Sequence, residues 1–289
     1  MKTLIIENKN DGKKLNTVLL KEYPNLKMST LYKALRKKDI RINSVRINEN
    51  KTVHIGDIIS IYISDDLLIG THANNLEIVY EDDNILVVNK PTGIEVTGEN
   101  SLTTMLCNMY NSNIMPCHRL DRNTSGLTLF AKNKESLDIL FNKFKTHEIK
   151  KHYLCRVYGI PKEKHKTLEA YLFKDSKKSQ VYICDSPKKG YQKIITEYKI
   201  ISSDKSNNTS ILEVILHTGR THQIRAHLAH IGHPIIGDGK YGINEINKKF
   251  KSNTQNLCSY ILKFKFSVDS SILNYLNDME IKLKNLPKF

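Results

Sequence analysis

The chain has 289 residues, of which 39% are hydrophobic and 26% charged, a composition that supports a packed core and excludes global disorder. Lys and Arg (45) outnumber Asp and Glu (30), and the net charge of +15 predicts a polyanionic partner such as nucleic acid, an anionic membrane or the ribosome. The sequence contains no apolar run of about 18 residues, no secretory signal core and no C-x-x-C pair among its cysteines. We therefore expect a cytoplasmic protein without a disulfide framework or zinc ribbon.

Residues 1–65 are predicted to form a small separate domain. Apolar residues at helical spacing around Leu15 and again around Leu31 predict two short amphipathic helices, and Ser29 is a candidate cap for the second. Isoleucine-rich segments around Ile40 and after a Gly-Asp turn predict strands.

The second helix and the strand after it carry a dense group of cations. On a unit too small to enclose an active site, this density favours a surface that binds phosphates, with an ordinary solvated face as the alternative. The group consists of Lys33, Arg36, Lys37, Lys38, Arg41 and Arg46.

Residues 66–75 show little periodicity and are interpreted as a linker to a larger domain over residues 76–289. In that domain, the apolar run at residues 85–88 predicts a buried strand. Asn133 is a candidate cap for a helix whose apolar stripe includes Phe141. Strands and helices do not alternate regularly, which favours an α+β fold with a mixed or antiparallel sheet over a doubly wound fold.

The segment H-R-L-D-R-N-T-S-G-L at residues 118–127 places one carboxylate between two arginines and ahead of Thr-Ser-Gly. The cations and the hydrogen-bond donors of such a turn favour the ionised form of Asp121, as a nucleophile or a general base requires. An aspartate that only fixes the turn through a salt bridge is the alternative from the charge pattern alone.

A second segment, L-H-T-G-R-T-H-Q-I-R-A-H at residues 216–227, predicts a strand, a turn and a helix that begins near Thr221, with Thr221 as its candidate cap. The free N–H groups of such a helix start attract an anion. Arg225 is placed to reach a buried carboxylate, although Arg220 and Arg225 also fit ordinary surface charges. Histidines in and after the segment raise the possibility of a metal site, which their divergent helical directions and the absence of H-E-x-x-H disfavour.

Two parts of the chain resemble known families. Residues 12–63 are similar to an S4 RNA-binding domain, through the basic helix corner, the I-x-I-N strand and the Gly-Asp turn. Residues 76–242 resemble RNA pseudouridine synthases of the RluA type, and an S4 domain often precedes the catalytic domain in that family. Four blocks carry this second resemblance in the expected order: IVYEDDNILVVNKPTGIEV, HRLDRNTSGLTLFAKN, KHYLCRVYG and LHTGRTHQIRAHLAHIGHPIIGDGKYG.

The resemblance implies an enzyme that isomerises uridine in RNA to pseudouridine without a metal or organic cofactor. Large-subunit ribosomal RNA is the favoured substrate, with tRNA, or a non-catalytic role in RNA binding or ribosome assembly, as alternatives. Asp121 matches the catalytic aspartate, Arg225 the arginine that pairs with it, and Tyr153 the tyrosine that lies against the base. Arg119 matches the arginine that fills the space left by a flipped nucleotide.

Both predicted domains are basic, so both are expected to contact RNA, and we expect a monomer that does not bind membranes. The cations assigned to RNA binding besides Arg119 are Lys33, Arg36, Lys37, Lys38, Arg41, Lys90, Lys151 and Arg220.

Overall fold

The chain divides into two compact units, Met1–Asn75 and Leu76–Phe289. The linker predicted at residues 66–75 lies outside the residues that can be described. Within the described ranges, no helix combines the length and the apolar character needed to cross a bilayer. The structure, a computed structural model, describes residues 2–23, 26–63, 76–287 and 289.

The first unit packs two helices against a four-stranded antiparallel sheet. Its elements are β1 (Lys2–Ile5), a 3-10 turn (Asn8–Asn10), α1 (Leu15–Glu22), α2 (Met28–Arg36), β2 (Ile40–Ile42), β3 (Val45–Ile47) and β4 (Ile58–Ile61). The strand order is β1-β4-β2-β3. Leu15 and Leu31 are fully buried, as their helical spacing predicts. The predicted cap is wrong, because α2 begins one residue before Ser29 and has Lys27 at its N-cap position.

The second unit is built on one large sheet flanked by helices. Its first elements are β5 (Glu77–Glu81), β6 (Ile85–Lys90), α3 (Leu102–Tyr110), β7 (Met115–Pro116), β8 (Ser125–Ala131), α4 (Lys134–Lys145), β9 (Ile149–Tyr158) and β10 (His165–Asp175). The others are β11 (Gln180–Cys184), β12 (Gln192–Asp204), β13 (Thr209–Leu216), α5 (Gln223–His230), α6 (Asn244–Lys249), β14 (Leu257–Phe264), a 3-10 helix (Ser271–Leu276) and β15 (Glu280–Lys282).

The main strand order of this sheet is β11-β10-β12-β13-β9-β14-β8-β6-β5. The β8–β14 pair is parallel, whereas the other pairs in the described residues are antiparallel. The predicted α+β fold with a mixed sheet is therefore confirmed. The run at residues 85–88 is buried on both faces, because alternate side chains enter two different apolar clusters.

The parallel contact between β8 and β14 fixes the strand that follows the 118–124 loop. Gly126 has φ +108°, and a Cβ at this position would overlap the backbone of Ser259. Only glycine permits this close approach without displacement of the neighbouring strand. The approach anchors the end of the loop that carries Asp121.

The helix predicted after residue 133 is confirmed, since the Asn133 side chain accepts a hydrogen bond from the Ser136 backbone N–H at 2.9 Å. Leu137 and Leu140 face the core. Phe141 does not: it is 49% exposed and lines a groove beside the candidate site. The Phe141 side chain, which the sequence places in the apolar stripe, therefore faces this groove and not the core.

Candidate active site

One pocket in the second unit brings together the three residues predicted to carry the chemistry. Asp121 lies on the loop before β8, Tyr153 on the central strand β9, and Arg225 in the first turn of α5, and all three line the pocket. The central strands bring the loop before β8 and the start of α5 together. Three residues that are far apart in the sequence therefore line one pocket.

Arg225 bridges two carboxylates at the base of the pocket. Its Nη1 donates to Asp121 Oδ2 at 2.9 Å, while Nε and Nη2 donate to the two oxygens of Asp238 at 2.7 and 3.0 Å. The fork of two parallel bonds fixes the plane of the guanidinium group. The third donor is consequently aimed at Asp121.

Asp238 is a residue of this site that the sequence does not reveal. Its side chain is fully buried, and it also accepts the backbone N–H groups of Lys240 and Tyr241. Burial opposes its ionisation, but the hydrogen bonds and charge of Arg225 outweigh this and hold the pKa of Asp238 below its usual value. The only available signal was an aspartate between two glycines, a common turn pattern.

Tyr153 lies opposite Val214 in the β9–β13 ladder and is 4% exposed. Burial raises the pKa of its phenol, and the negative charge of Asp121 raises it further. The phenol is therefore neutral at physiological pH and can donate a hydrogen bond. Its ring forms part of the pocket wall beside Asp121.

The turn between β13 and α5 is fixed by Gln223 and not by the predicted Thr221 cap. The helix begins two residues after Thr221 and has no side-chain cap. The Gln223 oxygen accepts from Thr218 Oγ1 and from the Arg220 backbone N–H, and its amide nitrogen donates to β12. A buried amide with two donors and an acceptor ties three segments together, which a single Thr hydroxyl cannot do.

The cations assigned to RNA in this unit have different surroundings. Arg119 and Arg220 are exposed on the rim of the groove that leads to Asp121. Lys151 is half-buried in the pocket wall, with Nζ 5.2 Å from the centre of the Phe144 ring, and burial lowers its pKa to about 8.

The assignment of Lys90 to RNA binding is wrong. Its side chain is fully buried, and Nζ donates to the carbonyls of Pro91, Ile94 and Arg122 at 2.9 to 3.0 Å. An ammonium group with three donors is thereby satisfied by the protein and is not free for a phosphate. Lys90 instead anchors the chain next to Asp121, through the carbonyl of Arg122.

The histidines near α5 are distributed among separate partners. Within the described ranges, no three His, Cys, Asp or Glu side chains are grouped so as to hold a metal ion. The pairs are His217 with Glu197, His222 with Tyr241, His227 with Thr196, and His230 with Asp185.

The cations of the first unit lie at its surface. Arg41 is half-buried, and its guanidinium stacks 4.9 Å from the centre of the Tyr62 ring. The others are exposed at the C-terminal end of α2 and have no ion pair within the described part of the chain: Lys33, Arg36, Lys37 and Lys38.

A model of the RNA pseudouridylate synthase family matches residues 84–230, a span that includes the loop of Asp121 and the first turn of α5. The chain belongs to this family. It is therefore an enzyme, an RNA pseudouridine synthase, and RNA is its substrate.

Individual relatives agree with this placement. A protein of Buchnera aphidicola named ribosomal large subunit pseudouridine synthase C is 32% identical over 84% of this chain and 81% of its own length. A protein of Mycoplasma capricolum named as an uncharacterized RNA pseudouridine synthase is 34% identical over 98% of this chain and 97% of its own. The fold resembles that of human RNA pseudouridylate synthase domain containing 1, with a TM-score of 0.59 and 24% identity, covering 74% of this chain and 92% of that one.

Proposed function

We propose that this enzyme converts uridines of large-subunit ribosomal RNA to pseudouridine, with Asp121 as its essential carboxylate and without a metal or organic cofactor. The name of the Buchnera relative supports ribosomal RNA as the substrate. The chemistry supports the absence of a cofactor, because the product is an isomer of the substrate. Nothing is oxidised, and no group other than protons is exchanged with the surroundings.

The reaction breaks the N1–C1′ bond of uridine, turns the base and joins C5 to C1′. The C5 proton is then lost, and N1 takes up a proton. Asp121 begins the reaction, either by attack on the nucleotide or by removal of a proton from the sugar. Arg225 offsets the cost of desolvating the Asp121 carboxylate when RNA covers the pocket.

The observation that carries this proposal is the Asp121–Arg225–Asp238 bridge. Arg225 binds one oxygen of Asp121, and within the described residues the other oxygen has no hydrogen-bond partner. The Asp121 side chain is 26% exposed, whereas that of Asp238 is fully buried. One carboxylate is thus presented to the pocket while the other serves to hold the arginine.

Two further residues have roles in this scheme. Tyr153 stacks on the uracil, and its phenol relays the C5 proton after the new bond forms, taking that proton up as its own proton passes to solvent. Arg119, on the exposed rim, occupies the space left in the RNA when the target nucleotide is flipped into the pocket.

The first unit acts in this scheme as an S4-like RNA-binding module. The exposed cations at the end of α2 bind backbone phosphates, and the helix C-terminus, where they lie, stabilises positive charge. Arg41 stacks on Tyr62 and presents a cation on the same unit.

The substrate is tested by mapping pseudouridines in the RNA of cells that lack this protein. We expect the loss of one or more pseudouridines from large-subunit ribosomal RNA, restored by the wild-type chain but not by Asp121→Asn. A loss confined to tRNA would contradict the assignment of the substrate, and restoration by Asp121→Asn would contradict the assignment of the carboxylate.

A further inference from the structure

His222 occupies an unusual backbone conformation at the edge of the pocket. It has φ +54°, in the left-handed region, which non-glycine residues adopt infrequently and which His, Asn and Asp tolerate better than most. Its side chain is 16% exposed, lines the pocket, and places Nε2 3.9 Å from Asp121 Oδ2. None of the steps proposed above uses this imidazole.

Tyr241 determines which nitrogen of His222 carries the proton. The backbone N–H of Val181 donates to the Tyr241 hydroxyl oxygen at 3.0 Å, and that hydroxyl lies 2.9 Å from His222 Nδ1. In the bond with Val181 the hydroxyl is the acceptor and does not use its own proton. Among the described residues, the bond with His222 is the one in which the hydroxyl can donate that proton. Tyr241 therefore donates to Nδ1, and a neutral His222 carries its proton on Nε2.

The imidazole of His222 is neutral at physiological pH. Burial lowers its pKa below the usual value, and the cations of Arg225 and Lys240 contribute in the same direction, against the opposing effects of Asp121 and Asp238. The pocket thus presents an Nε2–H donor beside the carboxylate acceptor of Asp121.

The separation of this donor and acceptor specifies the group that fits between them. At 3.9 Å they are too far apart to bond each other, but a single oxygen can lie within hydrogen-bond distance of both. That oxygen must accept from His222 and donate to Asp121, as a hydroxyl does. A uracil carbonyl cannot donate, and the uracil N3–H cannot accept.

Inside an RNA chain, the 3′ and 5′ oxygens of a nucleotide are esterified, so its free hydroxyl is the 2′-hydroxyl. We propose that His222 and Asp121 together bind the 2′-hydroxyl of the target nucleotide, with Tyr241 fixing the donor tautomer of His222. The inference rests on the proposed function and adds a substrate-contacting residue to it. It gives the site a means of selecting RNA over DNA, because the 2′-hydroxyl distinguishes the two.

The test compares two enzymes on two substrates. The substrates are short synthetic RNAs that carry the mapped target uridine as either a ribo- or a 2′-deoxyribonucleotide. Single-turnover rates come from chromatographic nucleoside analysis, and Kd values from fluorescence anisotropy. His222→Asn keeps a residue that accepts the left-handed backbone but removes the donor at the position of Nε2.

We expect the preference for the ribo substrate, taken as the ribo/deoxy ratio of rates or the deoxy/ribo ratio of Kd values, to be about two- to tenfold smaller in His222→Asn than in the wild type, the worth of one neutral hydrogen bond. An intrinsic effect of the deoxy sugar on bond breaking is common to both enzymes and cancels in this comparison. A merely structural role of His222 would lower activity on both substrates alike and leave the ratio unchanged.

Two further variants sharpen the result. Tyr241→Phe removes the hydroxyl that fixes the tautomer and keeps the ring beside Arg225, so we expect the ratio to fall between those of the other two enzymes. His230→Asn, on the same helix and paired with Asp185, should keep the wild-type ratio.

Equal ratios in the wild type and His222→Asn would overturn the inference. If the wild type made no pseudouridine from the ribo substrate, the proposed function would fail instead. The Kd ratios would still decide the role of His222, because they do not require turnover.

Discussion

The two units of this enzyme hold their cations in opposite ways. At the end of α2, Lys33 and Arg36 are exposed and have no carboxylate partner within the described residues. In the pocket, Arg225 is 8% exposed and donates to two carboxylates. Exposed charges attract a polyanion over a Debye length of about 10 Å, whereas a buried, forked guanidinium fixes the position of its partner. In the proposed function, the positive charge that attracts RNA is therefore distinct from the positive charge that organises the chemistry.

The largest effect in this comparison is expected from removing the buried partner of Arg225. Asp238→Ala leaves a buried guanidinium with only Asp121, which should lower the free energy of unfolding by about 3–5 kcal/mol and abolish most activity. Asp238→Asn keeps one acceptor and should cost less. Chemical denaturation with activity measured in parallel checks both variants. Asp138→Ala, at an exposed i,i+4 pair, is the control and should be nearly neutral, and an Asp238→Ala protein of wild-type stability would contradict the account.

Removing the exposed cations should have an intermediate effect of a different kind. The combined variant Lys33→Gln, Arg36→Gln, Lys37→Gln and Lys38→Gln should weaken RNA binding and reduce the slope of log Kd against log salt by about 0.7 to 0.9 for each lost phosphate contact. The rate at saturating RNA should stay at the wild-type value. Replacing the three lysines by arginine keeps the charge and should keep the slope, and an unchanged slope in the glutamine variant would exclude this surface from RNA binding.

The smallest effect concerns Lys151, which is half-buried and so lies between the exposed cations of α2 and the buried Arg225. Burial lowers its pKa to about 8, so its positive charge is complete well below pH 8 and is lost as pH rises through that value. RNA affinity should therefore fall by a factor of a few between pH 7 and pH 9. Measurements of Kd over this range should show a weaker fall in Lys151→Arg, whose charge persists. An identical pH profile in both enzymes would remove Lys151 from the RNA contacts.

The sequence was sufficient for features that depend on local pattern. The run at residues 85–88 is a buried strand, and Asn133 caps its helix, because burial period and capping chemistry are properties of a few adjacent residues. The predicted α+β fold is also confirmed, because it depends on the irregular order of strands and helices, which can be read from the same local patterns.

The sequence was insufficient where distant segments converge. The local sequence leaves Lys90 available to RNA, because nothing near it shows that the carbonyls of three residues meet at its Nζ. The local sequence does not reveal the role of Asp238, because its partner lies on another element. The local sequence favours Thr221 as a cap, because the side-chain bonds of Gln223 to β12 cannot be inferred from its neighbours.

The central claim is that a single carboxylate, Asp121, makes this chain an enzyme while other charges bring it RNA. The direct measurement is tritium release from RNA that contains 5-tritiated uridine, at saturating RNA, with Kd determined on the same preparations. We predict that Asp121→Asn releases no tritium above background and binds RNA with nearly the wild-type Kd. Wild-type release by Asp121→Asn would contradict the claim.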